Sequence, residues 1–136
     1  MPSNKMLRPI LAALTVLSAS VLVTTALDTG VASAHSRVTH SEPADGAVLD
    51  AGPPQVSVTF NEKVDDPALT VTGPDGNTWS HGDLHIDGRS LSIDLVPLGP
   101  AGVYTTHFAV TSKDGHHIEG QRAFTLTTAG SGTPAQ

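Results

Sequence analysis

The sequence predicts an all-β protein, an antiparallel β-sandwich of about seven short strands. Three observations carry that reading. Apolar and polar residues alternate with period two in several separate runs, as they do in half-buried strands. Thirteen Gly and ten Pro in 136 residues break the chain at short intervals, and these residues favour turns over long helices. Beyond residue 34 no run has the length or period of a long helix.

The elements follow in order. Val56, Val58 and Phe60 alternate with Ser57 and Thr59, and Gly52-Pro53-Pro54 precedes them as a turn. Leu69 and Val71 alternate with Thr70 and Thr72, before the turn residues Gly73-Pro74-Asp75-Gly76-Asn77. In Ser90–Leu95, Leu91, Ile93 and Leu95 face one side and Ser90, Ser92 and Asp94 the other. From Val103 to Thr111, Tyr104, Thr106, Phe108 and Val110 oppose Thr105, His107 and Ala109. A last strand spans Ala123 to Thr128, with Phe124 and Leu126 inward. About seven such strands in roughly 100 residues are the signature of a sandwich. Residues 129–136 are small and polar, and are expected to be disordered.

The first 34 residues have a different character. Lys5 and Arg8 precede an apolar stretch from Ile10 to about Leu27, and a small-residue segment ends in Ala32-Ser33-Ala34. These are the three parts of a secretory signal peptide. The apolar stretch is short for a membrane anchor, which needs about 20 mostly apolar residues, and several Ser and Thr interrupt it. Cleavage after Ala34 is expected, leaving an exported domain over residues 35–128 and the tail. Loss of Lys5, Arg8 and Asp28 would leave five basic and twelve acidic side chains, a net charge of −7.

Composition excludes several functions. The acidic balance argues against nucleic acid, whose phosphates require a basic surface. There is no Cys, hence no disulfide framework, thiolate cluster or cysteine nucleophile. Aromatic residues make up only 4%, too few for a broad stacking platform. Both Met residues, Met1 and Met6, precede the cleavage point, so soft-metal chemistry through sulfur is closed to the exported domain. No Ser-His-Asp order, phosphate loop or paired catalytic carboxylate is evident, and the protein is expected not to be an enzyme.

The chemistry rests on seven histidines: His35, His40, His81, His85, His107, His116 and His117. A surface imidazole is ordinarily solvated or merely hydrogen bonded. Three positions differ. After cleavage His35 is the N-terminus, so its α-amine and ring can chelate one ion. Asp114-Gly115-His116 adds a carboxylate and an imidazole at i and i+2, which share a face in extended chain. Amine, two imidazoles and one carboxylate suit tetragonal Cu(II), which heads the divalent affinity order; Zn(II) would accept the same donors tetrahedrally. A second constellation, His81, Asp83, His85 and Asp87, would lie on one face of a strand with Leu84 and Ile86 behind. It reads more simply as the solvent face of an edge strand, where charges deter edge-to-edge pairing.

Several segments together resemble one known family. They are His35-Ser36, Ser41-Glu42-Pro43-Ala44-Asp45-Gly46-Ala47, Val56-Ser57-Val58-Thr59-Phe60-Asn61-Glu62, and Ser112-Lys113-Asp114-Gly115-His116 with Gly120 and Phe124. In this order they resemble the CopC family of copper-resistance proteins over nearly all of residues 35–128. The resemblance implies a cupredoxin-like or immunoglobulin-like Greek-key sandwich, exported to the periplasm or cell envelope, that binds Cu(II) through His35, Asp114 and His116. Some members also hold Cu(I) in a Met-rich loop, a site expected to be absent here. The family often works beside a membrane copper permease of the CopD type, here expected to be a separate chain, and a monomer is expected. Two other classes compete: a plain adhesion sandwich without specific metal, and a copper monooxygenase, whose copper brace also begins with an N-terminal His. The carboxylate in the ligand set and the few aromatics argue against the latter.

Overall fold

A computed structural model describes residues 36–136; the expected signal peptide, 1–34, and His35 lie outside the described residues. Eight strands follow in order: β1 (Val38–Glu42), β2 (Ala47–Leu49), β3 (Gln55–Phe60), β4 (Asp65–Thr72), β5 (Ser80–Asp87), β6 (Ser90–Leu95), β7 (Gly102–Thr111) and β8 (His117–Leu126). They form two four-stranded sheets, ordered β1-β3-β6-β5 and β2-β8-β7-β4. The sandwich is as expected, with one strand more than the approximate count.

Period-two patterning explains the core. Val56, Val58 and Phe60 of β3 and Leu91, Ile93 and Leu95 of β6 are buried against Tyr104, Phe108, Val110, Phe124 and Leu126 of the other sheet. Burial of each large apolar side chain stabilises the fold by about 1.5–3 kcal/mol. The Phe60 and Phe108 rings meet edge to face, with centroids 5.5 Å apart, and Tyr104 stacks on Phe124 at 5.4 Å. Phe60 and Phe108 come from opposite sheets, so this contact clamps the layers.

Four details depart from expectation. β1 and β2 carry no clear alternation, and β2 pairs with β8 in parallel, so the sandwich is not wholly antiparallel. β8 begins at His117, six residues before the expected Ala123. Its inward positions there include Gly120 and Arg122, which do not read as a core face. A Cβ on Gly120 would stand 2.4 Å from the Phe108 ring, and the Arg122 guanidinium lies 5.8 Å from that ring's centroid. Phe108 supplies the bulk for both strands. β5 is an edge strand as anticipated, but its register shifts between His81 and His85. Only Leu84 packs on the core there, while Ile86 is exposed.

The fourth departure is the tail, expected to be disordered. The Gly130 and Gly132 amides donate to the carbonyls of Gly99 (2.7 Å) and Leu98 (3.0 Å), and that of Ala135 to Thr78 (2.9 Å). A Cβ on Gly132 would meet the Pro97 carbonyl oxygen at 1.5 Å. The small residues that suggested disorder are those that let two backbones lie in contact. Among the described residues no helix is long and apolar enough to cross a membrane.

Candidate metal centre

The topology brings two distant parts of the chain to one end of the sandwich. Val38 of β1 pairs with Phe60, the last residue of β3. Residues 61–64 then cross to the second sheet, where Asp65 pairs with Thr111, the last residue of β7. The start of the described chain and the β7–β8 hairpin therefore share this end. Ser36 is buried and its hydroxyl donates to Glu62 Oε1 at 2.8 Å. The Arg37 amide donates to Asn61 Oδ1 (2.8 Å) and the Asn61 amide returns to the Arg37 carbonyl (3.0 Å). The chain leaving His35 is held by side chain and backbone together.

The hairpin loop spans residues 112–116. The Ser112 amide donates to the His116 carbonyl, and the Gly115 amide to the Ser112 carbonyl, each at 2.9 Å. Closing so tight a turn puts Gly115 at φ +87°, a left-handed conformation that costs an L-residue about 1–2 kcal/mol. Asp114 and His116 thus sit in a turn, where extended chain had been expected. The turn nevertheless brings them together more closely than a strand would. His116 Nδ1 stands 2.8 Å from Asp114 Oδ2, against roughly 6.5 Å between i and i+2 along a strand.

Asp114 is held on its other oxygen too. The buried Ser112 hydroxyl donates to Oδ1, and the His116 amide reaches the same atom at 3.3 Å. The Ser112 hydrogen bond, and after it the His116 ring, hold the Asp114 carboxyl well below the usual carboxylate range. Its side chain keeps 31% of its exposure and the His116 ring 63%, so an anionic oxygen and an imidazole nitrogen are presented together at the surface. Ser112, anchored by burial and aimed at the carboxylate, is a site residue that sequence reasoning passed over. Its signal was position alone: a hydroxyl two residues before a candidate ligand.

A family model for the CopC domain matches residues 38–127, the span from β1 to just past β8. The chain belongs to the CopC family. Among curated relatives, the protein YobA of Escherichia coli K12 is 30% identical over 113 residues, covering 79% of this chain and 91% of YobA, and YobA of Shigella flexneri matches equally. Among solved structures, CopC from Methylosinus trichosporium OB3b is 25% identical, with a TM-score of 0.59 over 71% of this chain and 98% of that one. PcoC, a methionine-rich copper resistance protein from Escherichia coli, shares the fold at 24% identity and a TM-score of 0.57, covering 68% of this chain and 99% of PcoC.

The other histidines of this CopC domain stand apart from the hairpin turn. His40 lies 3.8 Å from Glu42, His117 3.0 Å from Glu119, and His107 Nε2 3.1 Å from the Thr72 hydroxyl. His117, next to His116 in sequence, is already in β8. The set His81, Asp83, His85 and Asp87 does not share one regular strand face, because the β5 irregularity interrupts its alternation. Among the described residues no three His, Asp or Glu side chains already converge on one point.

Proposed function

We propose that this CopC-family protein binds one Cu(II) ion through the α-amine and ring of His35, the Asp114 carboxylate and the His116 imidazole. It does so as an exported monomer, buffering or carrying copper in the cell envelope and passing it to a membrane copper permease of the CopD type. The observation that carries this reading is the 2.8 Å separation of Asp114 Oδ2 from His116 Nδ1, at the end of the sandwich where the chain leaving His35 is anchored.

The separation bears on the choice of ion. Donors about 2.0–2.1 Å from one ion stand about 2.9 Å apart at a right angle, and about 3.4 Å apart at a tetrahedral one. The shorter value matches the cis positions of a tetragonal ion, which is the preference of Cu(II) among N and O ligands. The role is binding without catalysis: three residues and the terminal amine occupy the positions at which a substrate would be activated.

The deciding experiment is electron paramagnetic resonance of the processed protein with one equivalent of Cu(II). A tetragonal spectrum with hyperfine structure from about three nitrogens is expected. A spectrum of hydrated Cu(II), or one unchanged by His116→Ala, would refute the assignment.

A further inference from the structure

The irregularity in edge strand β5 gathers side chains that regular pairing would keep apart. His81 stands opposite Asp94 of β6, but His85 stands opposite Ser92. Four steps along β5 therefore answer two along β6. In an unbroken ladder His85 would face Ser90 instead, a further two residues from Asp94. The extra length is taken up around Gly82, at φ +77° with nothing within 4 Å of the position a Cβ would occupy. As a result His85 Nε2 lies 3.6 Å from Asp94 Oδ2. The neighbouring pair, Ser80 and Leu95, is buried, so His81 and Asp94 face outward. One carboxylate thus has an imidazole neighbour along the strand direction and another directly across.

We propose that His81, Asp94 and His85 form a second, weaker site for a divalent ion of the copper–zinc class on the outer face of this sheet. Two imidazoles and a carboxylate, completed by water, are borderline donors that both ions accept. The three donors close on the ion by side-chain rotation, since they are not yet convergent. Solvent exposure of about half of each side chain in the His85–Asp94 pair leaves room for that rotation and for the water ligands. The site lies on the sheet of β1, β3, β5 and β6, whereas the hairpin ligands follow β7 on the other. It loads after the hairpin site and returns its ion readily, extending the buffering range when copper is in excess. An edge-protecting bulge needs only to interrupt pairing; setting two imidazoles about one carboxylate is a further consequence that a ligand site would use.

The test is calorimetric titration of the exported protein with Cu(II) and, separately, Zn(II), with imidazole nitrogen shifts followed during the Zn(II) titration. One further equivalent of each ion is expected beyond the first, with shifts at His81 and His85. His85→Ala or Asp94→Asn should weaken that second phase by about a hundredfold, the share of one ligand in a small site, and leave the first unchanged. In His116→Ala the weak equivalent should persist alone, so the outcome does not depend on the hairpin assignment. Circular dichroism should match across all variants, since the substituted side chains are exposed. A second phase that survives His81→Ala combined with His85→Ala, shifts centred on other histidines, or no second phase would each overturn the proposal.

Discussion

Asp114 and His116 face each other at 2.8 Å across a turn with one residue, Gly115, between them. A contact of this kind serves either of two roles. The carboxylate can orient the ring through Nδ1–H while the other nitrogen binds metal, or an ion can replace the shared proton and take both atoms. The proposed site uses the second. Asp114→Asn should therefore lower Cu(II) affinity at least a hundredfold and change the copper hyperfine splitting, because an equatorial oxygen is lost. A tenfold loss with an unchanged spectrum would assign Asp114 to the orienting role. His116→Ala should also weaken binding at least a hundredfold, whereas His40→Ala and His107→Ala leave the affinity of the first equivalent within about twofold; a competition titration reads all four.

The pH dependence follows from the carboxyl's environment. A carboxyl whose pKa is depressed in the fold contributes stability that is present above its unfolded value, about 3.9, and is lost as pH falls through the folded value. Asp114 is depressed by Ser112 and His116, so it stays ionised throughout the range from about pH 5 to 7. Protons that compete with copper in that range must come from the imidazoles and the amine. The slope of log affinity against pH should be unaltered in Asp114→Asn and smaller by about one proton in His116→Ala. Ser112→Ala should reduce affinity about 10–100-fold, the usual loss when a ligand's own partner is removed. A slope that changes with Asp114 would place its titration near neutrality and contradict the geometry.

What could be read from the sequence was whatever a single strand records. β3, β6 and β7 alternate cleanly because each has one buried and one solvated face. The first half of β8 was hidden because Phe108 fills the space that its own side chains leave empty at Gly120. β2, three residues long and paired in parallel, is specified by its partner strand rather than by its own pattern. The ordered tail was hidden for a similar reason, its glycines being selected by contact with Pro97 and Leu98. At the site, Asp114 and His116 were visible as residue types at a short spacing. The turn that joins them, and Ser112 beneath, depend on hairpin closure. Asp94 could not be linked to His85 from sequence, because a bulge sets their register.

Reduction should disfavour the bound metal. Residues 35–136 contain no Met and no Cys, so Cu(I) finds none of the thioether or thiolate donors it prefers. Ascorbate added to the copper-loaded protein should release the ion to a Cu(I) chelator while Cu(II) is retained against a matched Cu(II) competitor. Equal retention of both states would require an imidazole site able to hold Cu(I).

Gly120 offers a test of the packing between β7 and β8. A methyl group there would approach the Phe108 ring at 2.4 Å, and Phe108 is wedged against Phe60. Overpacking of this kind costs about 1–3 kcal/mol. In a domain of this size, Gly120→Ala should lower the melting temperature by about 4 °C or more per kcal/mol. An unchanged melting curve would mean that the ring can turn aside freely.

The last prediction concerns the chain terminus, which separates the proposed centre from any site built of side chains alone. The His35 amine is a donor only if cleavage after Ala34 frees it. One residue added before His35 converts that nitrogen into a peptide amide, whose lone pair is delocalised by resonance, and the His35 ring must then bind without its chelating partner. The fold should not notice the addition, because Ser36 is fastened to Glu62 and Arg37 to Asn61 beyond it. A free α-amine titrates near 7.7–8.0, so copper binding releases a proton close to neutrality. Two proteins, one beginning at His35 and one carrying a single extra Gly, should therefore melt alike and bind copper differently. The native terminus should bind tightly, with affinity falling as pH drops below about 7, and the extended form should bind far more weakly with a shallower pH slope. Matching Cu(II) affinities under a competing chelator would remove the amine from the ligand set and leave Asp114 and His116 to find their third partner elsewhere.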